Sequence, residues 1–324
     1  MATESASPAA SLRIFPALLI TGPTAVGKSE IALRIAEKVG GELLSADSMQ
    51  VYRGLDIGTA KPSMDQQARV PHHLIDVVDL NQTFDAGKFV HLARKALADI
   101  QARGHLPVLC GGSGLYLKAF LEGLGEAPSR DDNLRAKLEL TPMRELLDEL
   151  AELDPVTYQK IDRQNSRRVI RALEVIRLTG KPFSEQRAQW SAKPANQAIA
   201  IGFNRPRIEL HERIDLRVVK MFRDGLVDET EALLKRGLGD NKTAMQALGY
   251  RQVLDYLRGE HSLAQTIELV KIRTRQFAKR QLTWFRRQMN LNWIELRGEN
   301  STEVVAMVED QLGKSGFSPI QNVV

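Results

Sequence analysis

The eight residues GPTAVGKS, Gly22 to Ser29, constrain this chain more than any other stretch. They fit the spacing G-x-x-x-x-G-K-[ST], a glycine-rich turn between strand and helix that wraps a chain of phosphates. The flanks agree with that reading. Apolar FPALLIT (15–21) precedes the motif, and EIALRIAEKVG (30–40) follows it with helical spacing. Gly22 and Gly27 let the backbone turn so that successive N–H groups aim at anionic oxygens. Pro23, Thr24, Ala25 and Val26 supply the backbone between them. The next helix adds its N-terminal dipole. Lys28 can reach the outer phosphates, and the Ser29 hydroxyl can ligate Mg²⁺. A plain glycine turn would leave the agreement of spacing and flanks unexplained. The loop does not choose between a nucleoside triphosphate and any other diphosphate ester, because both present the same oxygens.

A loop of this kind belongs to a parallel sheet, and the pattern up to about residue 122 supplies one. Short apolar runs at 17–21, 41–46, 73–78 and 106–111 alternate with helical periodicity at 28–39, 85–103 and 113–122, the signature of an α/β fold. Composition changes after Gly125, where EAPSRDD reads as a linker. The pattern predicts helix without strands from about 130 to 190, a returning strand at 197–204, helices within 207–236, 245–258 and 262–287, and a last strand at 292–296. The expected architecture is an α/β core, 1–124 with 191–324, interrupted by a helical insertion at 125–190. Segments 1–13 and 314–324 read as frayed tails. At 324 residues, 43% hydrophobic and 26% charged, the chain has the composition of a globular protein with a full core. No apolar run approaches the roughly 20 residues that span a bilayer. The N-terminus lacks the basic start and apolar core of a signal peptide. Cys110 is the only cysteine, which excludes an internal disulfide and suits a reducing cytoplasm.

The second strand is followed by SADSMQVYRGLDIGTAKP, 45–62. In a parallel sheet, Asp47 then lies at the same edge as the phosphate loop. A carboxylate there can face an acceptor while the loop holds a donor, a bond-forming arrangement. Alone, an aspartate in such a place is more often a turn or helix cap; the neighbouring loop reverses that preference. Ser48, Gln50, Tyr52, Arg53, Thr59 and Lys61 cluster nearby. After the fourth strand, Gly111, Gly112 and Gly114 permit close backbone approach, and Ser113 stands where a helix starts. These glycines suggest a second ligand contact or a tight strand-to-helix turn. His72 and His73 read as structural, since adjacent histidines point apart and lack a ligand set. Cys110 reads as a small core residue.

Charge is distributed unevenly. Residues 160–181 carry Lys160, Arg163, Arg167, Arg168, Arg171, Arg177 and Lys181 against Asp162 and Glu174; residues 271–287 hold seven basic residues and no acidic one. A solvated helix face usually mixes signs, so an unopposed basic face points to the phosphates of a nucleic acid, with pairing to acidic segments such as 144–154 as the alternative. Arg213 and Arg217, spaced i, i+4, could hold a diphosphate opposite the loop or pair with Glu209 and Asp215.

Taken together, GPTAVGKS, SADSMQVYRGLDIGTAKP, PHHLIDVVD, GGSGLYLKA, RRVIRALEV and ALGYRQ occur in the order seen in bacterial tRNA dimethylallyltransferases, the tRNA isopentenyltransferase family. The resemblance runs from about 17 to 296, and the 47–62 segment is its most specific part. It implies a fold similar to P-loop kinases, with a helical insertion that grips the tRNA anticodon stem-loop. It implies transfer of a dimethylallyl group from dimethylallyl diphosphate to the exocyclic amine of the adenosine 3′ of the anticodon, with Mg²⁺ as cofactor. On this resemblance Asp47 matches the general base, with Lys28 and Ser29 in the phosphate loop. Asp47, Ser48, Met49 and Gln50 match a tRNA-contacting segment. Arg167, Arg168, Val169, Ile170 and Arg171 match a second, and Gln246, Ala247, Leu248, Gly249, Tyr250 and Arg251 a third. Ser113 and Arg135 match single tRNA-contacting positions. A cytoplasmic monomer is expected. A small-molecule kinase, a prenyltransferase of free adenine nucleotides and an RNA-binding ATPase share the loop. The basic segments argue against the first two, and Asp47 argues against the third.

Overall fold

The computed structural model describes residues 17–125, 127–186 and 198–314. They divide into two compact units, one of residues 17–118 with 198–314 and the other of residues 119–186. The second starts at Ala119, inside the helix Gly114–Glu122 and ahead of the composition shift at 125. Of the expected tails at 1–13 and 314–324, residues 1–13 and 315–324 lie outside the described residues, whereas Lys314 ends a helix.

The first unit is built on six parallel strands: β1 (Ala17–Thr21), β2 (Gly41–Ser45), β3 (His72–His73), β4 (Leu106–Gly111), β5 (Ala198–Asn204) and β6 (Asn292–Glu295). Their spatial order is β3-β2-β4-β1-β5-β6. The central strands are buried along their length, as parallel strands covered on both faces must be. Register sets where the chain leaves the sheet. Thr21 lies beside Gly111 and beside Gly202, and Ser45 lies beside Cys110. The turns after β1, β2, β4 and β5 therefore emerge together at the carboxyl edge, where ligands of open α/β sheets bind.

Helices α1 (Lys28–Val39), α2 (Met64–Arg69), α3 (Ala86–Ala102) and α4 (Gly114–Glu122) follow the first four strands. The run 73–78, expected as a strand, joins the sheet only at its start, through His72 and His73, with one isolated bridge from Val78 to Tyr52. Leu74 and Asp76 take left-handed φ values of 66° and 53°, which end an extended chain. Asp76 is held from outside: its N–H donates to the Gln50 carbonyl, and its carboxylate receives Lys61.

The second unit consists of α5 (Asp132–Leu140), α6 (Met143–Leu153), α7 (Pro155–Lys160), α8 (Ser166–Thr179) and α9 (Phe183–Gln186). Its core joins Leu138, Leu146, Leu150, Val169, Ile170, Leu173 and Ile176.

The first unit resumes with α10 (Arg207–Arg223), α11 (Leu226–Lys235), α12 (Tyr250–Leu257), α13 (Leu263–Gln288) and α14 (Ser301–Lys314). The pattern at 207–236, expected as helix, breaks at Gly225, whose φ is 102°. Helix α14 was not legible as an element. It closes the core with Val304, Val305, Val308 and Leu312 and pairs Glu309 with Lys38 of α1 at 2.7 Å. Among the described residues no helix is long and apolar enough to cross a membrane.

Candidate active site at the carboxyl edge of the sheet

Residues 22–29 form the turn between β1 and α1, and side chains from β5 and α10 hold its outer face. Buried Arg205 donates from Nε to the Val26 carbonyl at 2.8 Å, and Arg213 donates from Nε to the Ala25 carbonyl at 2.9 Å. Both arginines thus fix loop backbone while keeping their terminal nitrogens beside Gly27. Arg205 is also paired with Glu209. A cavity of about 330 Å³ opens here, lined by Gly27, Lys28, Ser29, Arg213, Leu216 and Arg217.

The electrostatics of that cavity favour an anion. Burial pushes the Lys28 ammonium below its usual range, with the Arg217 charge adding to the push and Asp47 opposing it. Burial likewise works against the Arg217 guanidinium, and Asp47 is the charge that supports it. Arg217 has no hydrogen-bond partner among the described residues. Lys28, Arg213 and Arg217 stand against Asp47 and against Glu30, which is already paired with Arg34, and so leave an excess of positive charge that a phosphate chain would satisfy.

Asp47 follows β2 and meets both readings made from the sequence. Its Oδ1 accepts from the backbone of Met49 at 2.8 Å and, more weakly, of Gln50 at 3.4 Å, a turn-capping contact. Its Oδ2 has no hydrogen-bond partner among the described residues, so one oxygen fixes the carboxylate and the other remains for chemistry. Ser48 donates its N–H to Ser113 Oγ at 2.9 Å. Gln50 accepts from Ser45 Oγ and donates to the carbonyls of Thr59 and Ala60. Ser113 and Gln50, both expected to touch a ligand, are thus occupied in shaping the segment that carries Asp47.

The glycines after β4 make room for close packing. A Cβ on Gly112 would lie 2.3 Å from Gln281 Nε2, and one on Gly114 would lie 2.2 Å from the Trp284 ring. Both intruders come from α13. Cys110 sits between Ser29, Lys28 and Asp47, and burial first of all pushes its thiol up to about 11, so it stays protonated near neutral pH. His73 Nε2 lies 2.6 Å from Glu42, and His72 Nδ1 lies 2.7 Å from the Val70 carbonyl, which makes this pair structural.

The other sequence-marked segments separate by burial. Val169 and Ile170 are core residues of the second unit, while Arg167 and Arg168 are exposed. Arg171 donates to Glu174 at 2.7 Å and to the Pro128 carbonyl at 2.6 Å, and Arg135 lies 3.4 Å from the same carboxylate. Arg177 pairs with Glu149 through two nitrogens, the acidic-helix pairing weighed above. In the first unit, Tyr250 and Ala247 are buried. The Tyr250 hydroxyl donates to Glu229 at 2.6 Å and accepts from the Gly58 N–H at 3.1 Å. Within 167–171 and 246–251, Arg167, Arg168, Gln246 and Arg251 are exposed, Arg171 and Leu248 are half-buried, and Val169, Ile170, Ala247, Gly249 and Tyr250 are buried, out of reach of an external polymer.

The family model described as IPP transferase matches residues 50–288, most of the chain. The chain belongs to the IPP transferase family. Within that family it is 44% identical to the tRNA dimethylallyltransferase 1 of Citrifermentans bemidjiense, over 90% of this chain and 96% of that one. Among solved structures it is similar to the full-length tRNA isopentenylpyrophosphate transferase of Bacillus halodurans, at 38% identity and a TM-score of 0.68, covering 93% of this chain and 98% of that one. It is also similar to a eukaryotic dimethylallyltransferase captured acting on tRNA, at 25% identity and a TM-score of 0.79, over 95% and 81% of the two chains. The family-model match begins at Gln50, whereas the alignments to these relatives extend into the segment before it.

Sequence reasoning missed Arg205 and Gln281. Arg205 directly follows β5, at the edge already marked by the loop. Gln281 is a polar residue on a buried stripe of α13, Val270, Thr274, Ala278, Gln281 and Phe285. A glutamine at such a position is itself a signal, because a buried amide must find partners.

Proposed function

We propose that this IPP transferase moves a dimethylallyl group from dimethylallyl diphosphate to the exocyclic amine of the adenosine 3′ of the anticodon in tRNA. The carrying observation is the free Asp47 oxygen, set at the sheet edge that holds Lys28, Arg217 and the loop amides. In this reading the amine nitrogen bonds to the allylic carbon as that carbon's bond to the diphosphate oxygen breaks. The diphosphate leaves with the bonding pair. The nitrogen becomes acidic as positive charge grows on it, and Asp47 Oδ2 accepts its proton in the transition state. The loop N–H groups, Lys28 and Arg217 stabilise the charge that accumulates on the leaving diphosphate. Arg213, tethered to Ala25, adds its terminal nitrogens from the opposite wall.

Among the described residues no cluster of histidine, cysteine and carboxylate could hold a metal. A lone hydroxyl at Ser29 suits Mg²⁺ carried in by the diphosphate, since that ion keeps several waters and needs few protein ligands. When bound, it would supply further charge neutralisation on the phosphate oxygens. Ser29 would hold it, and Lys28 would share the same oxygens.

RNA enters this reading as the source of the acceptor base, which must leave its stack to reach Asp47. Exposed Arg167 and Arg168 in the second unit, and Arg251, Arg273, Arg280 and Arg287 in the first, are the residues proposed to meet its phosphates. A monomer working in the cytoplasm completes the proposal. The test is incubation with Mg²⁺, radiolabelled dimethylallyl diphosphate and bulk tRNA that lacks the modification. Label should enter tRNA with the native chain and not with Asp47→Ala. Label-free tRNA together with consumption of ATP would replace this reading with a kinase.

A further inference from the structure

The buried stripe of α13 carries one polar side chain that reaches the site. Gln281 is 8% exposed. Its Oε1 accepts from the Thr24 N–H at 2.8 Å, and its Nε2 donates to the Gly112 carbonyl at 2.9 Å. Thr24 belongs to the phosphate loop after β1, whereas Gly112 belongs to the turn after β4. One carboxamide therefore joins two loops that no backbone hydrogen bond connects at these atoms.

From Gly112 the connection continues to the base. The next residue, Ser113, donates its N–H to the Ala46 carbonyl at 3.1 Å and accepts on Oγ from the Ser48 N–H at 2.9 Å. Ala46 and Ser48 are the two neighbours of Asp47. Trp284, one turn further along α13, lies against Gly114 and closes the other side of the same turn. The path from loop to base thus runs Thr24, Gln281, Gly112, Ser113, Asp47, through hydrogen bonds and short stretches of chain.

We propose that Gln281 is a positioning residue that sets the distance between the prenyl donor held by the phosphate loop and the Asp47 carboxylate. The inference rests on the prenyl-transfer reading and adds a residue to it. Only a side chain that donates at one atom and accepts at its twin can make both bonds, and an amide does so without needing a proton from solution. A displacement near 1 Å between reacting groups costs about 100-fold in rate, so a fixed span between the loops acts on turnover more than on binding.

Gln281→Leu keeps the volume and removes both bonds. Gln281→Glu keeps acceptance from Thr24 but sets carboxylate lone pairs against the Gly112 carbonyl. Protonation restores a donor there; burial favours that protonated form, and the Lys28 ammonium beside Gly112 opposes it. For Gln281→Leu we expect kcat to fall about 100-fold, with KM for dimethylallyl diphosphate and for tRNA each within about threefold. For Gln281→Glu we expect activity relative to the native chain to rise as pH falls from about 8 to about 6. An unchanged kcat, or a loss confined to KM for the donor, would overturn the positioning role. So would a flat pH ratio for Gln281→Glu, which also decides the matter if Gln281→Leu fails to fold. The native chain in the same assay reports separately on prenyl transfer. No label from it fells that reading, while full activity in both variants fells only this one.

Discussion

Arg213 and Arg217 at the sheet edge differ from Arg135, Arg171 and Arg177 of the helical unit in what holds them. In the helical unit, Arg135 and Arg171 share the fully buried Glu174, and Arg177 takes both oxygens of Glu149. At the sheet edge, Arg213 is held by a backbone carbonyl, and Arg217 has no hydrogen-bond partner among the described residues. A carbonyl orients a guanidinium without cancelling its charge, whereas a carboxylate does both. The first arrangement leaves a field for an incoming anion; the second spends the charge on the fold. Equal numbers of arginines in a sequence therefore do not mean equal capacity to bind.

The sharpest way to break this contrast is Arg217→Gln. It should lower kcat/KM by roughly 10²–10³, the range for loss of a group aimed at developing charge, with thermal stability unchanged or raised. A large fall in unfolding midpoint with normal turnover would make Arg217 structural. Glu174→Gln probes the other side. It leaves Arg135 and Arg171 facing a neutral partner in a buried place, and urea unfolding should show about 3 kcal/mol of lost stability. A stable variant would mean that the helical unit does not depend on that carboxylate.

A third experiment separates charge held for the fold from charge near the site by titration. Burial would raise the Glu42 pKa, but hydrogen bonds from Arg103, His73 and His105 outweigh it and hold the group at about 2, below the usual 4.5. A depressed carboxylate stabilises the fold fully above its unfolded value and loses that contribution as pH falls toward the folded one. Native stability should thus decline between pH 4.5 and about 2 more steeply than that of Glu42→Gln. Parallel acid-unfolding curves would show that Glu42 contributes nothing there. The smallest effect is expected from Arg168→Ala, on an exposed side chain. RNA affinity should fall several-fold, and the slope of log affinity against log salt should lessen by about one. An unaltered slope would mean that Arg168 neutralises no phosphate.

Much of this was legible in one dimension, and the reason is local. The turn at 22–29 and the strand 106–111 follow from patterns a few residues long: a glycine spacing and an apolar run. Asp47 could be placed because a parallel sheet sends the ends of its strands to one edge. Helix α14 escaped because its apolar positions match only the surface of α1, which is distant in sequence. The strand expected at 73–78 dissolved because Lys61 and Gln50 hold its turns from across a loop.

The sequence by itself determined a glycine-rich loop suited to phosphate oxygens, a carboxylate at the same sheet edge, and segments rich in basic residues. Only the tertiary structure decided which of those groups are already engaged. It tied Ser113 and Gln50 to the Asp47 segment and Tyr250 to Glu229, sank Val169 and Ile170 into a core, and brought Gln281 between two loops more than 85 residues apart, since Gly112 and Thr24 are 169 and 257 positions from it. Residue type and spacing fix what a side chain can do; the partners that occupy it come from chain brought near by packing, and no local pattern encodes them.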